Sequence, residues 1–249
     1  MKRKARTVRC YIDQELRVNT EIVLDKRSSH HVSTVLRART GQALQLFNGD
    51  GNEYNATVVE SGKKTRVSIH DANRCTTESS IPITLIQAVA RSDRMDMVLQ
   101  KATELGAHSI VPVYSRHSIT KLDEQREQKK HQHWQSILIS ACEQCGRSVI
   151  PVLHNVTTLK NYCESLTQAA DHEHRWVLSP TASNTVNPES QVQAVQLMVG
   201  PESGLDEDEV ALANQAGFTA LQLGPRILRT ETAGPAAISV VQTLFGDYL

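Results

Sequence analysis

Two stretches near the C-terminal end of the 249-residue chain carry the residue types that could do chemistry. One is Leu197-Met198-Val199-Gly200-Pro201-Glu202-Ser203-Gly204-Leu205, and the other runs from Leu221 through Leu223-Gly224-Pro225-Arg226-Ile227-Leu228-Arg229-Thr230-Glu231-Thr232. Each passes from an apolar, strand-like run through Gly-Pro into polar residues. Glycine frees the backbone and proline fixes it, so such a bend can close over a ligand. Glu202, Arg229 and Glu231 bring charge to the same sheet edge. A third bend, Leu178-Ser179-Pro180, follows another apolar run. A single Gly-Pro bend reads as a tight turn; two of them flanking Arg229-Thr230-Glu231-Thr232 read as a site. Neither G-x-G-x-x-G after a strand nor G-x-x-x-x-G-K-[ST] occurs, which argues against ordinary dinucleotide binding and P-loop phosphate transfer.

The elements that must hold these bends follow from hydrophobic periodicity. Residues 8–73 show short β-type runs broken at Gly41, Asn48–Asn52 and Ser61–Lys64, with a helical stretch at His31–Arg37, and suggest a small β-barrel. Beyond the polar connector Asn73–Ser80, strands alternate with helices. Strands are expected at 83–89, 109–113, 149–153, 175–178, 196–199 and 219–223. Helices are expected at 95–105, 123–143, 159–170, 206–216 and within 233–245. Asp206 with Glu209 three residues on makes a capping box. This alternation predicts an α/β domain with a mostly parallel sheet, which takes its ligand at the carboxyl ends of the strands. The expected division is 1–74 and 75–249.

Net charge is zero, but residues 1–75 hold 14 Lys/Arg against 8 Asp/Glu and the remainder 13 against 19. Lys2, Arg3, Lys4, Arg6 and Arg9, with Arg37, Arg39, Lys63, Lys64 and Arg66, make a nucleic acid the expected partner through phosphate contacts. Lacking any membrane-length apolar run or signal-peptide core, the chain is expected in the cytoplasm. Five scattered cysteines indicate reduced thiols. Cys142-Glu143-Gln144-Cys145 spells C-x-x-C, but with no second such pair and within a helical pattern it reads as packing. His131 and His133 lie two apart on a helix and cannot share a face, so no metal site is expected.

These residues resemble a known family nearly end to end. His30-His31-Val32-Ser33-Thr34-Val35-Leu36-Arg37 and Leu46-Phe47-Asn48-Gly49 match its first-domain motifs. Asp93-Arg94-Met95-Asp96, Gln100–Gly106, Arg116 and Glu143–Arg147 match its middle. Gly200-Pro201-Glu202 and Leu223–Thr232 are the most specific. The chain resembles the RsmE-type 16S rRNA (uracil-N3)-methyltransferases of the SPOUT superfamily. The resemblance implies a PUA-like β-barrel RNA-binding domain followed by a trefoil-knotted SPOUT domain, a rare exception to unthreaded topology. It also implies a homodimer and an S-adenosyl-L-methionine cofactor held by Leu178, Ser179, Pro180, Val199, Gly200, Pro201, Glu202, Gly204, Leu223, Gly224, Ile227, Leu228 and Thr230.

The expected reaction is methylation of uracil N3 in 16S rRNA of the small ribosomal subunit, with neither membrane nor metal involved. Arg229 is expected to stabilise the anionic base, with Glu231 positioning it or relaying the proton; an intraloop ion pair that only braces the fold is the competing account. Glu202 is expected to bond backbone N–H groups of its own turn. Arg9, Arg37, Arg91, Arg94 and Arg116 are the expected RNA contacts. Two other functions stay open: a knotted methyltransferase for another RNA atom, and a ribosome-binding or assembly protein without turnover. Ser203 and Ser179 replace a common glycine and histidine, and Pro235 suggests that the last helix begins late.

Overall fold

The computed structural model describes residues 8–117 and 124–249. Two compact units emerge: Met1–Glu78 with Cys142–Ile150, and Ser79–Ala141 with Pro151–Leu249. The later segment joins the first unit for a local reason. Arg147, 3% exposed, donates from Nε and Nη2 to Glu78, whose other carboxylate oxygen accepts the Ser148 and Val149 N–H groups. A basic and an acidic side chain that are far apart in sequence thus satisfy each other away from water.

The first unit is a five-stranded sheet of β1 (Val8–Tyr11), β2 (Thr20–Val23), β3 (Ala43–Phe47), β4 (Asn52–Glu60) and β5 (Arg66–Arg74), in the order β1-β3-β4-β5-β2. Only β1 and β3 are parallel. Period-two alternation sends Tyr54, Ala56 and Val58 of β4 and Val67 and Ile69 of β5 into one core with Leu44, Leu46 and Val32. The expected helix at His31–Arg37 starts earlier, as α1 (Lys26–His30), because the Asp25 carboxylate accepts the Arg27 and Ser28 N–H groups. It continues as a π-helical turn, His31–Val35.

The second unit contains β6 (Ile83–Ala88), α2 (Ser92–Glu104), β7 (Ser109–Tyr114), α3 (Glu124–Cys145, whose last residues belong to the first unit), β8 (Val152–Leu153), β9 (Thr157–Thr158) and α4 (Leu159–Ser165). Then come β10 (Glu173–Leu178), β11 (Ala194–Val199), α5 (Glu207–Gln215), β12 (Thr219–Leu221) and α6 (Thr230–Phe245). The sheet order is β12-β10-β11-β6-β7-β8, with β9 also on β7, and every pairing is parallel. Buried on both faces, its central strands β6, β7 and β11 are nearly continuous apolar runs. Ile86, Ala88, Val111, Val177 and Met198 pack with residues of α4 and α5, whereas Leu85 and Gln87 face Gly234 of α6.

Two departures from expectation have visible causes in this unit. The strand at 149–153 shrinks to Val152–Leu153 because the preceding residues pair with Glu78. The last helix begins at Thr230 and takes Pro235 inside it. The Arg229 carbonyl accepts the Thr232 and Ala233 N–H groups, and the Thr230 hydroxyl donates to the Gly200 carbonyl at 2.7 Å. Tertiary anchoring of the first turn outweighs the helix propensity lost at Gly234-Pro235.

Candidate functional site

The strands β10, β11 and β12 end at Leu178, Val199 and Leu221, and because they are adjacent and parallel their three bends emerge along one sheet edge. The bends are tied together through backbone groups. Ser179 N–H donates to the Leu221 carbonyl at 2.9 Å, and the Gln222 amide donates to the Pro180 carbonyl at 2.9 Å. In the middle bend, a Cβ on Gly200 would sit 2.8 Å from the Leu205 nitrogen, so only glycine fits. Gly204, at φ +78°, makes the return turn and leaves Ser203 in ordinary backbone space, which explains why serine is tolerated there. In the third bend Gly224 takes φ +69° and Leu223 already lies beyond the strand. Ile227 is 84% exposed.

Charge gathers where the middle bend meets the starts of α2 and α6. Both carboxylate oxygens of Glu231, a side chain only 13% exposed, accept from Arg94 Nη1 at 2.9 Å. Arg94 Nε also lies 3.7 Å from Glu202. Arg229 sits 3.9 Å from Glu231, with its side chain 74% exposed. Glu231 is therefore held first by Arg94, a partner that spacing along the chain did not suggest, and Arg229 keeps an outward-facing guanidinium. The expected role of Glu202 is corrected in its partner. Its carboxylate accepts the Arg91 N–H at 3.0 Å and so bridges to α2, where its own turn was expected. That bond satisfies one of the free donors at a helix start.

The expected RNA contacts differ in how far protein groups already engage them. Arg9 is a correction: its side chain is 8% exposed, stacked over the Phe47 ring, and bonded to Glu53, Gln45, the Arg147 carbonyl and Ser148. Internal acceptors hold it away from solvent. Arg94 likewise serves the carboxylates, and Arg116 pairs with Asp206 and Asp208. Arg37, with a left-handed φ of +51°, and Arg91 are exposed. Lys2, Arg3, Lys4 and Arg6 lie outside the described residues.

In the C-x-x-C pair, burial pushes the Cys142 thiol up to about 12, which disfavours the thiolate that redox exchange uses. Cys10, His31 and Glu143 bring donor atoms within 4.8 Å of one another. Burial and the Glu143 charge raise the Cys10 thiol to about 12, and Glu143 already accepts the Tyr11 N–H. A concavity of about 520 Å³, lined by Thr84, Ser109, His154 and Tyr162, sits at the amino ends of β6 and β7, away from the bends.

Sequence reasoning missed Gln87. It is fully buried at the carboxyl end of β6, and its amide nitrogen donates to the Ala88 carbonyl at 3.0 Å, the Gly200 carbonyl at 3.4 Å and the Thr230 hydroxyl at 3.0 Å. The available signal was an amide inside a run otherwise read as a buried strand.

Comparison with known proteins bears directly on this arrangement. Residues 77–242 match the RNA methyltransferase domain family, and residues 24–66 match the RNA methyltransferase PUA domain. The ribosomal RNA small subunit methyltransferase E of Buchnera aphidicola subsp. Schizaphis graminum is 35% identical over 98% of this chain and 99% of its own. The crystal structure of that enzyme from Neisseria gonorrhoeae, bound to S-adenosyl methionine, superposes with a TM-score of 0.90 at 35% identity, covering 98% of this chain and all of the other. A Legionella pneumophila methyltransferase in complex with the same cofactor gives 0.91 at 37% identity, with the same coverage. No helix among the described residues is long and apolar enough to cross a membrane.

Proposed function

The chain belongs to the RNA methyltransferase family that includes the ribosomal RNA small subunit methyltransferases E, and from that premise we propose that it methylates N3 of a uracil in 16S rRNA of the small ribosomal subunit, using S-adenosyl-L-methionine. The observation that carries the reading is the meeting of the Gly200 bend, Thr230 and the Glu231–Arg94–Glu202 cluster at the carboxyl ends of adjacent parallel strands, in a chain aligning over 98% of its length with a cofactor-bound relative.

The residues fit the cofactor. Backbone packed so closely that no Cβ fits at Gly200, and open space beside Gly204, suit a ligand gripped by peptide groups. Leu178, Ser179, Pro180, Val199, Gly200, Pro201, Glu202, Gly204, Leu223, Gly224, Ile227, Leu228 and Thr230 would hold it. The bound cofactor supplies an electrophilic methyl group on a sulfonium.

The chain's own residues must align the acceptor and stabilise it. Uracil N3 bears a proton, and losing it spreads negative charge over the flanking carbonyl oxygens. An outward guanidinium at Arg229 is suited to receive that charge, because it is anchored loosely to Glu231 and is not consumed by it. Glu231, fixed by Arg94, sets the position of Arg229 and keeps the local charge balanced. Phosphate contacts belong to Arg37, Arg91 and the basic residues before Thr7. The proposal includes the trefoil threading, a cytoplasmic location and a homodimer.

The test incubates the purified protein with labelled S-adenosylmethionine and small subunits lacking the modification, then maps the product by mass. A label on uracil N3 supports the reading. A label on another atom, or RNA binding without any label, overturns it.

A further inference from the structure

We propose that Gln87 is a positioning residue for methyl transfer: its carboxamide clasps the cofactor bend and the first turn of α6, so that the two move as one body. The inference rests on the function proposed above. It begins with what is odd about the residue. Gln87 lies in β6 between β11 and β7, registered against Val199 and Pro112, with relative exposure of zero. A buried amide is retained at a cost unless its bonds do something an apolar side chain cannot.

Those bonds have a definite direction. The carbonyl oxygens of Ala88 and Gly200 are acceptors only, so the nitrogen of the amide must face them; a flipped amide would set oxygen against oxygen. Thr230 completes a closed ring, accepting from Gln87 while its own hydroxyl donates to the Gly200 carbonyl. One side chain thereby joins the end of β6, the bend after β11 and the residue between Arg229 and Glu231. The amide oxygen has no partner among the described residues, and a Cβ added at Gly234 would lie 3.7 Å from it. The side chain is oriented wholly by its donor end.

The consequence is that cofactor geometry and guanidinium geometry are set jointly. The experiment compares native protein with Gln87→Met, which keeps the volume and removes both donors, and with Gln87→Glu. For Gln87→Met the expected result is a kcat lower by about thirtyfold at saturating cofactor and subunits, cofactor affinity by calorimetry within about threefold, and an unchanged thermal midpoint. Amide hydrogen exchange should quicken in both Ser203–Leu205 and Glu231–Gly234 and stay native in β10 and α5.

In the Gln87→Glu protein the ionised carboxylate confronts two carbonyl oxygens and only the protonated form can donate. Its kcat deficit should therefore shrink as pH falls, a signature that loss of packing would not produce. Unchanged exchange in both segments, exchange raised throughout with a lowered midpoint, or a deficit in Gln87→Glu independent of pH would each overturn the proposal. The exchange measurement stands even for a native protein that transfers no methyl group, so the clasp and the assigned reaction fail separately.

Discussion

The two units use the same pair of residue types, arginine and glutamate, to opposite ends. In the first unit, Arg9 and Arg147 are 8% and 3% exposed and are held by Glu53, Glu78 and backbone carbonyls. In the second, Arg94 is 26% exposed and Arg229 74%, around a Glu231 that is itself nearly enclosed. An enclosed guanidinium is a strut whose removal leaves a half-buried carboxylate uncompensated. An exposed guanidinium tethered at 3.9 Å contributes little to stability and remains available to a ligand.

The largest effect expected from this contrast is on folding. Arg147→Ala should lower the unfolding free energy by about 3 to 5 kcal/mol, read by urea titration, because Glu78 would keep its charge without its partner. A loss below about 1 kcal/mol would place Arg147 with the exposed arginines and dissolve the distinction. Arg229→Ala should do the reverse. Single-turnover methyl transfer should fall by about a hundredfold to a thousandfold, as when one donor to a developing anion is removed. The thermal midpoint and cofactor affinity should hardly move. Parallel loss of affinity and stability would instead make Arg229 a brace.

Much of this was legible in the sequence, and the exceptions share a cause. The strands Ile83–Ala88 and Ala194–Val199 announced themselves as apolar runs, and α5 through Asp206 and Glu209, whose reciprocal capping bonds both form. The bends at Gly200 and Gly224 were visible because glycine and proline act locally. What stayed hidden depends on partners far along the chain. Arg9 looks like part of a basic arm until Arg147 and Ser148 arrive from 138 and 139 residues away. Arg94 looks like a surface charge until Glu231 meets it across 137 residues. Gly234-Pro235 argued for a late helix because local propensity cannot register that Thr230 is fastened to Gly200.

Arg94→Lys sharpens the comparison within the second unit. An ammonium is a point charge and cannot reproduce the guanidinium's geometry toward Glu231 and Glu202. Turnover should drop about tenfold, equivalent to about 1.4 kcal/mol of barrier, with stability nearly native. A rate equal to native would mean that Glu231 needs only positive charge nearby.

The smallest effect separates two exposed arginines. Arg116, 61% exposed, is shared by Asp206 and Asp208, and its N–H donates to Glu209. Any phosphate approaching it must displace two carboxylates, so Arg116→Ala should leave the salt dependence of RNA binding unaltered and cost about 0.5 kcal/mol of stability. Arg37 has no acidic partner among the described residues and lies just past the π-helical turn. Arg37→Ala should reduce the slope of log affinity against log salt by somewhat less than about 1, the value for one released counterion. The contrast is informative because both side chains are exposed: if Arg116→Ala changes the slope as much as Arg37→Ala, then exposure governs recruitment to RNA, and pairing with carboxylates is too weak to withhold a guanidinium.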